Sequence, residues 1–493
     1  MKFKRRLFIY LILFVPTSTI VLDYFGRIDF LKMTITNLIQ KNISVENRRK
    51  VKKYFLPYRE IDILQKRFDE TKAENINYRE VIKYLSPIAL ENDLRIRDKL
   101  LDLEFKKSSK TNTFSFARGD TNYTFSVEKF IPSKNVLLRG IKNSLPLSGY
   151  IDKNENRLFL LSSIGILGYS KLKNNSLDFK QIKNNLNKFI GEKQFKKEGL
   201  DHAEISKTLP FSVKDLFISN NKIFISFTNE ISEDCWNTSV VVADLDYKQV
   251  NFEPLFFPKE CVNSLNNPDN VFLAHQSGGR IVKYDGDHIV LSTGDYRNRY
   301  LAQDKKSTFG KILKININTK NYEVLAMGSR NIQGLYHDKL NDLIVFTDHG
   351  PRGGDEINIL LKKMLSDKEI PNYGWAVSSY GFHYKNTPET KKYPLHKSHE
   401  KYGFIEPTKY FNPSIGPSEI IGLDPNNKLY LLSSLKARSI YLMKLNNENK
   451  IIQFDNFKIN ERVRDMILFN EKIYLFLEDT GSIGVINLKE LNP

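Results

Sequence analysis

Arg462 and Arg464 stand two residues apart in the run ERVRDMIL. If that run is extended, alternation puts both guanidinium groups on one face. Arg330, in Arg330-Asn331-Ile332-Gln333-Gly334, and Lys436, just past the apolar run Leu429-Tyr430-Leu431-Leu432, bring two more cations from other parts of the chain. Guanidinium groups offer paired donors that match carboxylates, and an ammonium adds a compact point charge. Four such groups suit a multiply anionic, planar ligand better than a neutral one. His275, in HQSGGRIV, and the turn Asp348-His349-Gly350-Pro351 also lie beside strand-like segments, where functional groups tend to gather.

The signatures of several other chemistries are missing. The chain has no P-loop, no dinucleotide-binding glycine fingerprint, no GxSxG and no HExxH. Cys235 and Cys261 form no CxxC or Cys/His metal pattern; they either close one disulfide or remain two buried thiols. The formal net charge is +18, yet about 24 Lys and Arg against about 14 Asp and Glu lie before Thr111, which is more than half of the excess. The remainder is only mildly basic and has no basic stripe interleaved with stacking aromatics, so no nucleic-acid partner is expected.

The elements that must position these residues fall into three parts. Lys2, Lys4, Arg5 and Arg6 precede the apolar run from Leu7 to Leu22, the order of an export signal. At about 16 residues the run is short against the usual ~20 for a span, but Tyr24 and Phe25 extend it into an interface. Residues 1–25 are therefore expected to be an uncleaved signal-anchor that makes the membrane a partner. It would leave the main domain outside the cytoplasm, on the periplasmic side of a Gram-negative envelope. Residues 26–110 carry helix-like apolar spacing, many charges and almost no glycine, which predicts a helical stalk or cap.

Over 111–493 the pattern changes to short β-rich runs between Asn, Asp, Gly and Lys turns. A polar turn leads into an apolar strand at Asn156 to Leu161, Asn221 to Ser226, Asp287 to Leu291, Asp342 to Phe346, Asn427 to Leu432 and Glu471 to Phe476. Intervals of roughly 45 to 85 residues suit a propeller with four strands per blade and inserted loops. The expected fold is all-β, a six-bladed β-propeller with four-stranded blades, preceded by the N-terminal membrane anchor and the helical segment. Loops of successive blades meet at one end of such a fold, which would bring Arg330, Lys436, Arg462 and Arg464 together.

HQSGGRIV, STGD, GKILKIN, RNIQGL, DHGPRGGDEINIL and NYGW, followed by SLKA and RVRD, resemble in order the glucose/sorbosone dehydrogenase family, six-bladed propellers that include soluble quinoprotein glucose dehydrogenases and aldose sugar dehydrogenases. The resemblance covers about Asn270 to Gly481 and extends weakly back to about Thr111. It implies that His275 is the general base, taking a hydroxyl proton while hydride passes to pyrroloquinoline quinone (PQQ). Arg330, Asn331, Lys436, Arg462 and Arg464 then match residues that hold PQQ. Gly350 and Pro351 match the turn whose carbonyls bind Ca²⁺, a hard cation suited to oxygen donors. Asp355 and Glu356 either pin that loop or bind a second Ca²⁺. Gly278 and Gly279 permit a tight backbone path, Trp375 packs, and Asp295 supports either loop geometry or the cofactor.

The chain departs from the family at Ile332, where proline is frequent, and at Asp348, where Glu is. Ala274 replaces the acidic residue before the histidine of the soluble glucose enzymes, and Tyr296 replaces a glutamine after STGD, which argues against glucose itself as substrate. The expectation is a PQQ- and Ca²⁺-dependent oxidoreductase acting on a sugar-like alcohol and passing electrons to an external acceptor. The rival reading is a non-catalytic, membrane-anchored propeller that binds a protein or glycan.

Overall fold

The computed structural model describes residues 103–118, 121–132, 149–162, 165–171, 176–190, 213–366, 369–384 and 388–491. Within them the chain is a succession of antiparallel meanders. Four of these are separate sheets of Val213–Ser219, Lys222–Ser232, Cys235–Asp244 and Glu253–Phe256 with Val262–Asn263; of Gly278–Lys283, His288–Thr293, Lys311–Asn316 and Tyr322–Met327; of Ile332–Asp338, Leu343–Asp348, Asp355–Leu361 and Lys409–Phe411; and of Pro417–Asp424, Leu429–Ser434, Ser439–Leu445 and Ile451–Lys458. The first strands of successive meanders pack side by side, from Gly149–Asn154 through Val213–Ser219, Gly278–Lys283, Ile332–Asp338 and Pro417–Asp424 to Val463–Phe469, which returns to Gly149–Asn154. The arrangement is all-β and propeller-like.

The six segments of the recurrent sequence pattern are all second strands, paired to those inner strands. The polar residues ahead of them are the hairpin turns. Glu155, Asn220, Asn221, Asp342, Lys428, Asn470 and Glu471 have φ between 48° and 58°, a left-handed conformation that the tight turn imposes and that short polar side chains tolerate best. Behind the turns, Leu158 to Leu161, Ile223 to Ile225, Val345 and Leu429 to Leu432 are buried between neighbouring sheets. A fully buried side chain of this size contributes roughly 1.5–3 kcal/mol relative to an exposed one.

Two expectations are corrected. Separate four-stranded blades, six in number, are not what the chain forms. The last meander, Val463–Phe469, Lys472–Leu477 and Ser482–Asn487, runs out of strands, and its edge is covered by Thr121–Pro132 through Ile483 opposite Phe130. Thr121–Pro132 also pairs with Leu103–Lys107, which continues onto Ser176–Gln181, Leu167–Lys171, Arg157–Ser162 and Gly149–Asn154. The result is one ten-stranded sheet, with Asn112–Arg118 attached to Thr121–Pro132. An open sheet edge exposes unpaired backbone donors and acceptors, and a strand from the start of the chain removes two such edges at once.

The second correction concerns the N-terminal part. Residues 1–25, and the expected helical segment as far as 102, lie outside the described residues, while Leu103–Lys107 is a strand. Among the described residues no helix is long and apolar enough to cross a membrane, and the α-helix there, Leu488–Leu491, is a single turn. The anchor, the membrane as a partner and the localisation derived from them have no spanning element among the described residues behind them and are withdrawn.

Cys235 and Cys261 form a disulfide with Cα atoms 5.3 Å apart. It ties the segment ending in Val262–Asn263 to the long strand Cys235–Asp244, whose Thr238 hydroxyl donates to the Ser277 carbonyl at 2.7 Å, in the His275 turn. Closing a loop of 26 residues removes unfolded-state freedom worth about 3 kcal/mol. Cys235→Ser/Cys261→Ser is therefore expected to lower the thermal midpoint by several degrees, measured by circular dichroism without reductant; an unchanged midpoint would show that the bridge does not brace this sheet.

Candidate functional site

The inner strands all begin at the end of the sheets where the singled-out residues lie. Their third residues form a buried floor. Arg280 is 4% exposed, and its guanidinium reaches Asp215 at 2.9 Å, Glu419 at 2.7 Å and Asp465 at 2.8 Å. It also donates to the carbonyls of Gln333 and Arg464. Asp465 in turn accepts from Ile151 N–H, and Asp215 from Ile281 N–H. One guanidinium thus ties together strands from around the whole ring. Three carboxylates around one cation leave an excess of negative charge out of water, so burial pushes Asp215 up to about 7, with Arg280 opposing and Asp465 reinforcing the shift.

One layer nearer the loops are the second residues of the same strands, Tyr150, Lys214, Gly279, Gln333, Ser418 and Arg464. The expected cations stand on and around this layer. Arg464 Nη1 donates to Gln333 Oε1 at 3.1 Å, and Gln333 Nε2 donates to Asn331 Oδ1 at 2.9 Å. Arg462 and Arg464 share the carboxylate of Glu478, which is fully buried, and the two guanidinium groups hold it below the usual carboxylate range against the opposing effect of burial. Both arginines remain partly open, at 29% and 14% side-chain exposure, so their outer faces are left for a ligand.

The Arg330-Asn331 turn is held from behind by Asp348, whose carboxylate accepts from Arg330 N–H and Asn331 N–H, each at 2.7 Å. Arg330 donates to the His349 carbonyl and lies 5.5 Å over the Trp375 ring. Trp375 Nε1 donates to Asp295 Oδ2 at 2.7 Å, and Asp295 N–H donates to the Arg330 carbonyl. Trp375 and Asp295 therefore support the Arg330 loop, and Asp295 is fully buried.

His349 is where the separate residues meet. Burial first, then Arg330, His275, Arg464 and Arg462, push its imidazole down to about 3. It is neutral at physiological pH. Lys436 comes from the next meander: a Cβ on Gly416, whose φ is +62°, would lie 3.1 Å from Lys436 Cβ and 3.5 Å from His349 Nε2. Glycine at 416 thus lets the Lys436 turn close onto His349. His275 itself is exposed, on a turn fixed by Gln276 N–H to Leu273 O and Tyr296 N–H to Gln276 O. Gly278 N–H donates to Asn331 Oδ1, so the His275 and Asn331 loops are locked to one another.

Ala274 and Tyr296 have side chains in an apolar cluster with Trp236, Val262, Leu301 and Phe309, not in the cleft. Tyr296 adopts φ 48°, and its hydroxyl is 2.9 Å from Thr238 Oγ1.

The residues expected to hold Ca²⁺ divide. The Pro351 carbonyl accepts from Gly354 N–H and Ser414 Oγ. Asp355 Oδ2 accepts from Gly416 N–H at 2.7 Å, while its Oδ1 is buried with no hydrogen-bond partner. The Gly416, Ile415 and Gly350 N–H groups favour the charged form of this carboxylate, and its Oδ1, beside the Gly350 turn, is a donor suited to a hard cation. Glu356 turns to His399, 3.4 Å from Oε1, and to Asn358. Among the described residues no three His, Cys, Asp or Glu side chains are grouped to hold a metal by themselves.

Sequence reading named His349 and Gln333 within their runs but gave them no role of their own, and it missed Lys214 and Glu478. His349 and Glu478 each stand one residue past a second strand, as Lys436 follows Leu429–Ser434, so position alone carried a signal.

The fold and the convergent loops define an all-β, propeller-like protein with a cluster of cations at one end of its inner strands. The glucose/sorbosone dehydrogenase family model matches residues 208–485, more than half of the chain, and the chain belongs to that family. It is 27% identical over 237 residues to the aldose sugar dehydrogenase of Escherichia coli, covering 44% of this chain and 60% of that protein. It is 28% identical over 217 residues to an uncharacterized protein of Synechocystis, covering 38% of this chain and 50% of that protein. The chain thus matches about half to three-fifths of the length of these relatives. A glucose dehydrogenase crystal structure superposes with a TM-score of 0.53 at 18% identity, covering 71% of this chain and 97% of that one. The apo-form of the soluble Escherichia coli aldose sugar dehydrogenase gives 0.52 at 18% identity, covering 71% and 98%. At such identities these structures speak for the fold.

Proposed function

We propose that the protein is an oxidoreductase that uses PQQ, with Ca²⁺, to oxidise a sugar-like alcohol. The observation that carries this reading is the meeting of Arg330, Arg462, Arg464, Lys436 and His275 around a neutral His349. A cleft with so many cations needs an anionic occupant, and the carboxylates and quinone oxygens of PQQ match guanidinium, ammonium and amide donors.

When bound, PQQ supplies the redox chemistry, accepting hydride from the carbinol carbon. The chain's own residues do the rest. Arg462 and Arg464, braced by Glu478, and Arg330, braced by Asp348 and Trp375, orient the ligand's anionic groups. Lys436 and the Asn331 amide act on the same ligand. His275, on its fixed turn, takes the hydroxyl proton at an imidazole nitrogen, a role that needs hydrogen-bond reach and a neutral ring. The Gly350 and Pro351 carbonyls with Asp355 Oδ1 would hold Ca²⁺, with the Pro351 bonds to Gly354 and Ser414 giving way. Electrons then leave to an external acceptor.

The test is catalytic. Purified protein given PQQ and CaCl₂ is expected to reduce a redox dye with at least one member of an aldose panel, and to lose that activity on chelation. A protein that binds PQQ but reduces no dye with any aldose would exclude this substrate class.

A further inference from the structure

The second-residue layer holds one basic residue that the quinone reading has not used. Lys214 follows Val213 at the loop end of Val213–Ser219, level with Gly279 on the neighbouring inner strand and with Gln333 and Arg464 on inner strands further around the ring. Gly279 contributes no side chain to this layer, and Lys214 takes the space. A Cβ on Gly279 would lie 2.3 Å from Lys214 Cβ and 3.2 Å from its Cγ, and Gly279 has φ +117°. The Lys214 stem therefore lies on the backbone of the HQSGG turn that carries His275. Its neighbour Asp215 is committed to the floor below, to Arg280 and Ile281 N–H.

We infer that Lys214 is a further anion-binding residue of the cleft, its ammonium holding a carboxylate of the bound quinone beside Arg464. The inference rests on the quinone reading above. It also accounts for a cation placed next to another cation. Burial, and then Arg464, push the Lys214 ammonium down to about 7, and a bound carboxylate between the two would relieve that repulsion. The long alkyl stem suits the place, since it packs along the Gly279 backbone, and Lys214 as a whole residue is half-buried.

The test compares the full chain with Lys214→Met and Lys214→Arg, titrating each with PQQ and following quenching of tryptophan fluorescence, since Trp375 lies against Arg330. Losing one charge-assisted contact is expected to raise Kd by about tenfold or more in Lys214→Met. Lys214→Arg is expected to restore most of the affinity, which a purely structural role of the stem would not do. Equal Kd for Lys214→Met and the unaltered chain, or a loss that Arg does not rescue, would overturn the role of Lys214 and leave the quinone reading standing. An unaltered chain with no saturable quenching would overturn both.

Discussion

His275→Ala is expected to lower kcat by about a hundredfold to ten-thousandfold, the usual contribution of a positioned general base. Because His275 is exposed and its turn is held by backbone bonds of Gln276 and Tyr296, the thermal midpoint should hardly move. Surface substitutions away from caps and buried networks ordinarily cost within about 0.5 kcal/mol. The second imidazole at the site supplies an internal control. His349 is pushed down to about 3 by burial and by Arg330, His275, Arg464 and Arg462, so its ring stays uncharged and does not titrate across the neutral range. An acid limb near neutrality would therefore not come from His349. Unchanged kcat in His275→Ala would remove it as the base.

Arg464→Met should be the most damaging single change for both stability and ligand affinity. It removes a partner of the fully buried Glu478 and the donor to Gln333 Oε1. Breaking a buried ion pair from one side typically costs about 3 kcal/mol or more, tempered here because Arg462 stays. The pH dependence has a definite sign. Arg464 and Arg462 hold the folded-state Glu478 below its ordinary range, so their stabilisation is present above the unfolded carboxylate pKa of about 4.3 and is lost as pH falls through the lower folded value. The stability gap between the unaltered chain and Arg464→Met, read from denaturant melts, should therefore be wide at neutral pH and narrow in acid. Adding Glu478→Gln should recover stability without recovering PQQ affinity, because it removes the stranded charge and supplies no new cation. Recovery of both would show that Arg464 serves the fold alone.

The parts legible in the sequence were those with a local rule. Tight hairpins favour left-handed turn residues before an apolar strand, and such residues precede five of the six second strands, the exception being His288–Thr293. Arg462, just before the strand Val463–Phe469, and Arg464, on it, do share one partner, Glu478. The parts that were not legible depend on pairing between distant segments. Nothing near Ser482–Asn487 says that Thr121–Pro132 will cover its edge and merge two meanders into one sheet. Arg280 reads as an ordinary residue of a strand, yet its three carboxylate partners come from three other strands of the ring. Lys214 escaped for the same reason: its place beside Arg464 and Gly279 follows from ring geometry, and no neighbour in sequence announces it.

The central claim is that the cations gathered around His349 exist to hold a quinone polycarboxylate. Titration of the purified full chain with PQQ in the presence of CaCl₂, followed by absorbance, tests it most directly. The account predicts saturable binding of one PQQ per chain, weakened by Arg464→Met. Absence of saturable binding at any accessible PQQ concentration, in a protein shown to be folded, would contradict it.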